Sequence, residues 1–192
     1  MKQLIEIKKK LTSDWFKFLQ SKIVNEFQLL ENDTNKKSKT KKFFKREWKK
    51  DNKKEGGGCS YLLSDGRIFD KVGVNQSTVS GQFEKTFRSK ILGAEKNGKY
   101  WATGISVVAH MKNPKIPAFH FNTRFIVTSK EWFGGGVDAT PSFDDKKERI
   151  LFHQKLKNVC KLNNKDYNMY KNWCDTYFYL PHRKEPRGIG GI

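Results

Sequence analysis

Cysteine, proline, acidic residues and long apolar runs are all scarce in this chain of 192 residues, and each scarcity excludes something. The three cysteines, Cys59, Cys160 and Cys174, form no CxxC pair and cannot all pair internally, which argues for free thiols in a reducing compartment. The longest uncharged apolar stretch, near Ala102 to Ala109, is far short of the roughly 20 residues a membrane-spanning helix needs. Glu6 and Lys8 to Lys10 interrupt the apolar start before a signal-peptide core forms. A soluble, cytosolic chain without a membrane span is therefore expected. Neither glycine-rich string, Gly56 to Gly58 or Gly134 to Gly136, leads into GK[ST] or GxGxxG, which speaks against a nucleotide-phosphate cradle.

Acidic residues number 20 against 39 lysines and arginines, a net charge of +19. The excess is uneven: Lys36 to Lys54 holds ten lysines and Arg46 against Glu47 and Asp51 alone. Interleaved with Phe43, Phe44 and Trp48, that tract suits nucleic acid or another polyanion. A solvated linker explains it equally simply and is preferred, so nucleic-acid binding is not expected to be the main function. A strong positive potential would also concentrate an anionic substrate near its cleft.

Aromatic residues are plentiful at 14%, including 15 phenylalanines and 5 tryptophans, and the 36% hydrophobic content suits one globular domain with a real core. The expected order is a helix over 1–31, a basic linker over 32–55, a sheet, then helices. Leu4, Ile7, Leu11, Trp15, Leu19, Ile23, Phe27 and Leu30 recur at steps of three or four, which predicts one core-facing stripe on the first helix. Ser60 to Leu63, a Ser64-Asp65-Gly66 turn and Arg67 to Val74 predict a hairpin. Further strands are expected near 77–87, 101–110 and 118–128. Phe133 to Pro141 reads as a glycine-rich loop. Ser142 with Asp145 reads as a capping box opening a helix to about Leu162, and Asp166 opens another with Tyr170, Trp173, Cys174 and Tyr177 as its packed stripe.

The most informative stretch lies between Trp101 and Phe125. Strand alternation sends His120, Asn122 and Arg124 to one face and Phe119, Phe121, Thr123 and Phe125 to the other. The same rule groups Ser106, Val108 and His110, and Lys112 to Pro117 carries the signals of a turn. Antiparallel pairing about that turn predicts His110 opposite His120, Val108 opposite Asn122 and Ser106 opposite Arg124. The result is a polar surface and a candidate active site; the plainer alternative is a sheet with one solvated face. All four histidines, His110, His120, His153 and His182, fall in the second half. They form a candidate divalent-metal set, against the plain alternative of structural histidines, because no HExxH or close pair supports it.

Several strings carry a resemblance. Gly56-Gly57-Gly58 with Asp65-Gly66, Lys71-Val72-Gly73-Val74-Asn75, Ala102-Thr103-Gly104-Ile105-Ser106, His120-Phe121-Asn122-Thr123-Arg124, Trp132 to Asp138, Trp173 to Phe178, His182-Arg183 and Arg187 to Gly191 follow in order. Together they resemble oxygen-dependent coproporphyrinogen III oxidase from about Gly56 to the last residue. The resemblance implies an α+β fold, a broad antiparallel sheet flanked by helices on both faces, working as a cytosolic homodimer. It implies oxidative decarboxylation of two propionates of coproporphyrinogen III, giving protoporphyrinogen IX in haem biosynthesis. Molecular oxygen is the implied co-substrate, with no organic cofactor.

Carried over by position, the resemblance makes His120 the proton donor and Asp138 the carboxylate facing the pyrrole nitrogens. Ser106, Asn122, Thr123 and Arg124 become substrate contacts, and His110, His120, His153 and His182 the set suggested to hold a metal in some relatives. Arginine suits this substrate because its planar fork binds a carboxylate in two places. Cys59, Glu131, Met111 and Leu151 depart from the family pattern without removing a proposed catalytic residue.

Family members continue past Ile192, so the resemblance implies an N-terminal portion of one domain, with the C-terminal part of the fold missing. Three readings stay open. The chain works as an oxidase, alone or completed by a separately encoded C-terminal piece; it is an inactive fragment that binds tetrapyrrole weakly; or it is a nucleic-acid module built on the lysine-rich tract.

Overall fold

A computed structural model describes residues 2–32, 40–143 and 145–192. Helix α1 (Lys2–Glu31) leads into six strands, β1 (Phe44–Lys49), β2 (Gly56–Ser64), β3 (Phe69–Gln82), β4 (Lys99–Met111), β5 (Ala118–Val127) and β6 (Glu131–Thr140). They form one antiparallel sheet in the order β1-β2-β3-β4-β5-β6, so each strand pairs with its neighbours in sequence. A single helical turn, α2 (Lys85–Arg88), lies between β3 and β4. Helices α3 (Lys146–Leu162) and α4 (Tyr167–Tyr177) follow β6, and a small hairpin, β7 (Tyr179–Leu180) with β8 (Glu185–Pro186), follows them. This is the expected α+β arrangement.

Alternation divides the sheet into two unlike faces. On the first, Val72, Val74, Ile105, Val107, Ala109 and Phe125 are buried beneath α1, whose Phe16 and Val24 press into them. Phe16 is 1% exposed, and burying such a ring stabilises the fold by about 1.5–3 kcal/mol. Two buried polar groups on α1 fix its placement. The Gln20 amide donates to the carbonyls of Cys59 and Val74, at 2.7 and 2.9 Å. The fully buried Glu31 carboxylate accepts the backbone N–H groups of Arg67, Ile68 and Phe69 at 2.7, 2.9 and 2.7 Å. Arg67 answers by donating to the carbonyls of Leu30 and Glu31, so the helix end and the turn after β2 cap each other.

The helix faces differ from expectation. Phe16, Gln20, Val24 and Glu31 are buried, with Ile5, Ile23 and Phe27 packed beside them. Leu4, Ile7, Leu11, Trp15 and Leu30 of the predicted stripe are 49–63% exposed. The predicted stripe therefore meets the core through Leu19, Ile23 and Phe27 alone, and Phe16, Val24 and the polar Gln20 and Glu31 complete the buried face of α1.

Five further expectations are corrected. Of the stretch 32–55 read as a linker, residues 33–39 lie outside the described residues, but Phe44–Lys49 forms strand β1 and Lys53–Glu55 a 3-10 turn. Alternation of Phe44, Arg46 and Trp48 with Lys45, Glu47 and Lys49 suits an edge strand, where charged side chains remain in water. The segments read as separate strands before and after residue 75 are one continuous β3. The glycine-rich stretch read as a loop is strand β6: at Gly135 a Cβ would collide with the Asn122 carbonyl, so glycine there permits the close approach of β5 and β6. Asp145 is itself the N-cap of α3, accepting from Lys147 N–H and Glu148 N–H, rather than the third residue of a capping box. On α4, Cys174 is buried as expected, whereas Trp173 and Tyr177 are exposed.

A cleft of about 440 Å³ lies under the first face between α1, the β4–β5 turn and α3. Its lining, including Phe27, Phe69, Phe119 and Phe152, is apolar apart from Glu148, and it shares no side chain with the polar surface described next.

Candidate active site

The second face is built in rows that the strand registers define. One row runs Arg46, Ser60, Asn75, Ser106, Asn122, Gly136 from β1 to β6. The rows on either side are Phe44, Leu62, Gly73, Val108, His120, Asp138 and Trp48, Gly58, Ser77, Gly104, Arg124, Gly134. Six strands at the usual spacing make this face roughly 24 Å wide. Hydroxyl and amide groups occupy the middle of its central row, and the side chains of Trp48, Leu62 and Arg124 lean over Gly58, Gly73 and Gly104 in the outer rows.

The register departs from expectation by two residues. His120 stands opposite Val108 rather than His110, Asn122 opposite Ser106 rather than Val108, and Arg124 opposite Gly104 rather than Ser106. An even displacement preserves the faces, so Ser106, Val108, His110, His120, Asn122 and Arg124 share one surface as expected. Thr123 does not: it is turned to the α1 face, and the resemblance that grouped it with substrate contacts is corrected by the strand's own alternation. Gly104 has a local reason. A Cβ there would stand 2.6 Å from the Thr123 carbonyl oxygen and 3.0 Å from Cγ of Arg124, so glycine permits the close approach of β4 and β5.

At the β6 side of this face, His120, Asn122, Asp138 and Arg187 form a connected chain. His120 Nδ1 lies 2.7 Å from Oδ1 of Asp138, and the Asn122 amide nitrogen lies 3.2 Å from Nε2 of His120. Asp138 is 1% exposed, and both its oxygens are engaged, because Arg187 donates to Oδ2 from Nε at 3.0 Å and to Oδ1 from Nη2 at 2.9 Å. A carboxylate only accepts, so the proton of a neutral His120 sits on Nδ1, and Nε2 is left to accept from Asn122. Phe178 holds two members of the chain: the Arg187 guanidinium stacks 3.8 Å from its ring centre, and His120 meets the ring edge-on at 5.9 Å. Residues after Arg187 close the edge, since Gly188 to Ile192 exchange backbone hydrogen bonds with Val137 and Ala139 of β6.

The other histidines lie elsewhere. His110 is exposed at the end of β4 opposite Lys71, and His182 is exposed in the turn between β7 and β8. His153, on α3, has both ring nitrogens taken: Nε2–H donates to the Ile189 carbonyl at 2.8 Å, and the Tyr167 hydroxyl donates to Nδ1 at 2.8 Å. Among the described residues no three His, Cys, Asp or Glu side chains come together in a way that would hold a metal ion. The four-histidine set, dispersed in this way, does not fit a metal. Sequence reasoning gave Arg187 no role, and the only signal was its place in a shared string.

The geometry defines a class first: an α+β protein with a core on one face of an antiparallel sheet and, on the other, an open polar surface ending in a histidine–aspartate–arginine chain. The particular family comes from comparison. The family model for coproporphyrinogen III oxidase matches residues 11–192, and the chain belongs to that family. It is 50% identical over 187 residues to the oxygen-dependent coproporphyrinogen-III oxidase of Rickettsia rickettsii (strain Sheila Smith), an alignment covering 96% of this chain and 66% of the relative. The same-named proteins of Rickettsia bellii (strain RML369-C) and Rickettsia akari (strain Hartford) are 49% and 50% identical over the same coverage. The chain thus spans 66% of the length of these relatives.

Proposed function

We propose that this chain carries the substrate platform and proton-handling site of an oxygen-dependent coproporphyrinogen III oxidase. The observation that carries the reading is the meeting, on one open sheet face, of Arg124, Asn122 and Ser106 with the His120 imidazole. A flat macrocycle bearing four carboxylates suits a broad six-stranded face. Arg124 grips a carboxylate with its planar fork, and the hydroxyl of Ser106 and the amide of Asn122 donate to another. The cytosol, a homodimer and a further C-terminal piece belong to the same reading, on the strength of family membership.

Conversion of each propionate to a vinyl group releases carbon dioxide, one proton and two electrons. Molecular oxygen takes the electrons, and Nε2 of His120, once the Asn122 amide turns away from it, is the group placed to take the proton; the protonated ring can then serve as the proton donor that the resemblance implies. Asp138 was expected to face the pyrrole nitrogens directly. With both oxygens occupied, it acts on the substrate through His120 in this reading.

The test is turnover of anaerobic coproporphyrinogen III on admission of oxygen, read by porphyrin fluorescence after oxidation of the product. His120→Ala should lower the rate by about 100-fold or more, the usual worth of a positioned acid–base group. Arg124→Ala should weaken retention of coproporphyrin by about tenfold, as loss of one charge-assisted hydrogen bond predicts. Unchanged turnover in both variants would end the proposal.

A further inference from the structure

We infer that Arg187 is a positioning residue, which neutralises the buried Asp138 carboxylate so that His120 remains an uncharged imidazole able to accept a proton at Nε2. The inference deepens the proposed role of His120 and rests on that role for its purpose, but not for its test.

Asp138 is 1% exposed and brings one negative charge into the sheet edge, where an uncompensated charge is costly. Two groups lie within hydrogen-bond distance to answer it, the Arg187 guanidinium and the His120 ring. Arginine is always charged, and its fork takes both carboxylate oxygens, so the requirement is met once, by the group that cannot release its proton. His120 is then called on only for an N–H. Without the guanidinium, the same carboxylate would draw its compensating charge from the imidazole, which would gain a proton at Nε2 and lose its capacity to take one from a substrate.

Arg187 is well held for this task. Its guanidinium stacks on Phe178, its backbone N–H donates to the Phe178 carbonyl at 3.1 Å, and the residue before it closes the β7–β8 hairpin. The remaining charged and titratable groups facing this cluster are the Cys174 thiol and the Lys171–Asp175 ion pair of α4, together with Arg124 along β5. Lys171 pairs with Oδ2 of Asp175, whose Oδ1 is buried without a hydrogen-bond partner, the thiol is neutral near pH 7, and Arg124 is exposed to solvent. None of them substitutes for Arg187.

The experiment is an NMR titration of the histidine ring nitrogens in the nitrogen-15-labelled chain, without substrate. In its neutral form the parent should show the His120 proton on Nδ1 and the His153 proton on Nε2. Arg187→Gln should raise the His120 titration midpoint by about one pH unit or more, leaving His153 unmoved. Arg187→Lys should restore the parental midpoint. Asp138→Asn, which leaves the guanidinium unopposed, should lower it. The two latter variants decide the matter if Arg187→Gln does not fold. A proton on Nε2 in the parent, a His120 midpoint indifferent to Arg187→Gln, or failure of Arg187→Lys to restore it would overturn the inference. Absence of turnover with these shifts intact would count against the proposed function alone.

Discussion

The side chains of the candidate site were legible to different depths. His120, Asn122 and Arg124 follow from alternation within β5, and the period of two survives a misplaced register provided the displacement is even. The partnership of His120 with Asp138 could not be read, because it depends on β6 forming at all, and three successive glycines suppress the strand signal. Arg187, 49 positions from Asp138, depends on a two-residue hairpin that leaves no periodic trace. Gly104 yields a prediction at this scale. Gly104→Val should push β5 away at the Thr123 carbonyl and displace Arg124 with it, costing about tenfold in coproporphyrin retention, checked by fluorescence titration. Cys174 yields another. Burial, then the nearby Asp138 and Asp175, push its thiol up from 9.0 to about 11, so a lower thiolate fraction is present at any given pH. Iodoacetamide at pH 8 should modify Cys174 in the native chain far more slowly than in the denatured chain, as mass spectrometry can show. The sign carries over to stability. A thiol that ionises later when folded supports the fold fully below pH 9 and loses that contribution as pH rises toward 11.

Among the elements, α1 was found in its right place and its core face was read in part: Leu19, Ile23 and Phe27 pack on the core, whereas Leu4, Ile7, Leu11, Trp15 and Leu30 do not. Apolar residues recur at steps of three and four on more than one side, so periodicity alone could not choose between them. The sheet selects the side with Phe16 because Gln20 and Glu31 find backbone partners there. No hydrophobic pattern announces that a buried glutamate will meet three amides. Two substitutions separate these contributions. Phe16→Ala should destabilise the fold by about 3–5 kcal/mol through the cavity it leaves. Glu31→Gln, nearly equal in volume, should cost about 1.5–3 kcal/mol because its amide cannot accept three charge-assisted bonds. Urea unfolding followed by circular dichroism measures both.

For the molecule as a whole, the two faces of the sheet have different fates: α1 covers one, and the other presents the exposed Arg124 and the half-buried His120, with Asn122 buried beside them. Apolar side chains also stand exposed in groups, with Leu4, Ile7, Leu11, Trp15 and Phe18 along α1 and Trp173 and Tyr177 along α4. Exposed stripes of that kind drive association, so the isolated chain should form concentration-dependent oligomers despite its net charge of +19. Sedimentation velocity should show them, and Leu11→Glu with Trp15→Glu should shift the distribution toward monomer. A salt-reversible assembly unaffected by those substitutions would point to the lysine-rich tract instead.

Because β5 serves core and chemistry from alternate residues, its length is constrained more tightly than its composition. A single codon inserted between Asn122 and Arg124 would carry the guanidinium inward among phenylalanines and bring an aromatic ring outward in its place. Point changes along this strand degrade one task at a time, whereas a frame-preserving insertion of one residue ruins both together.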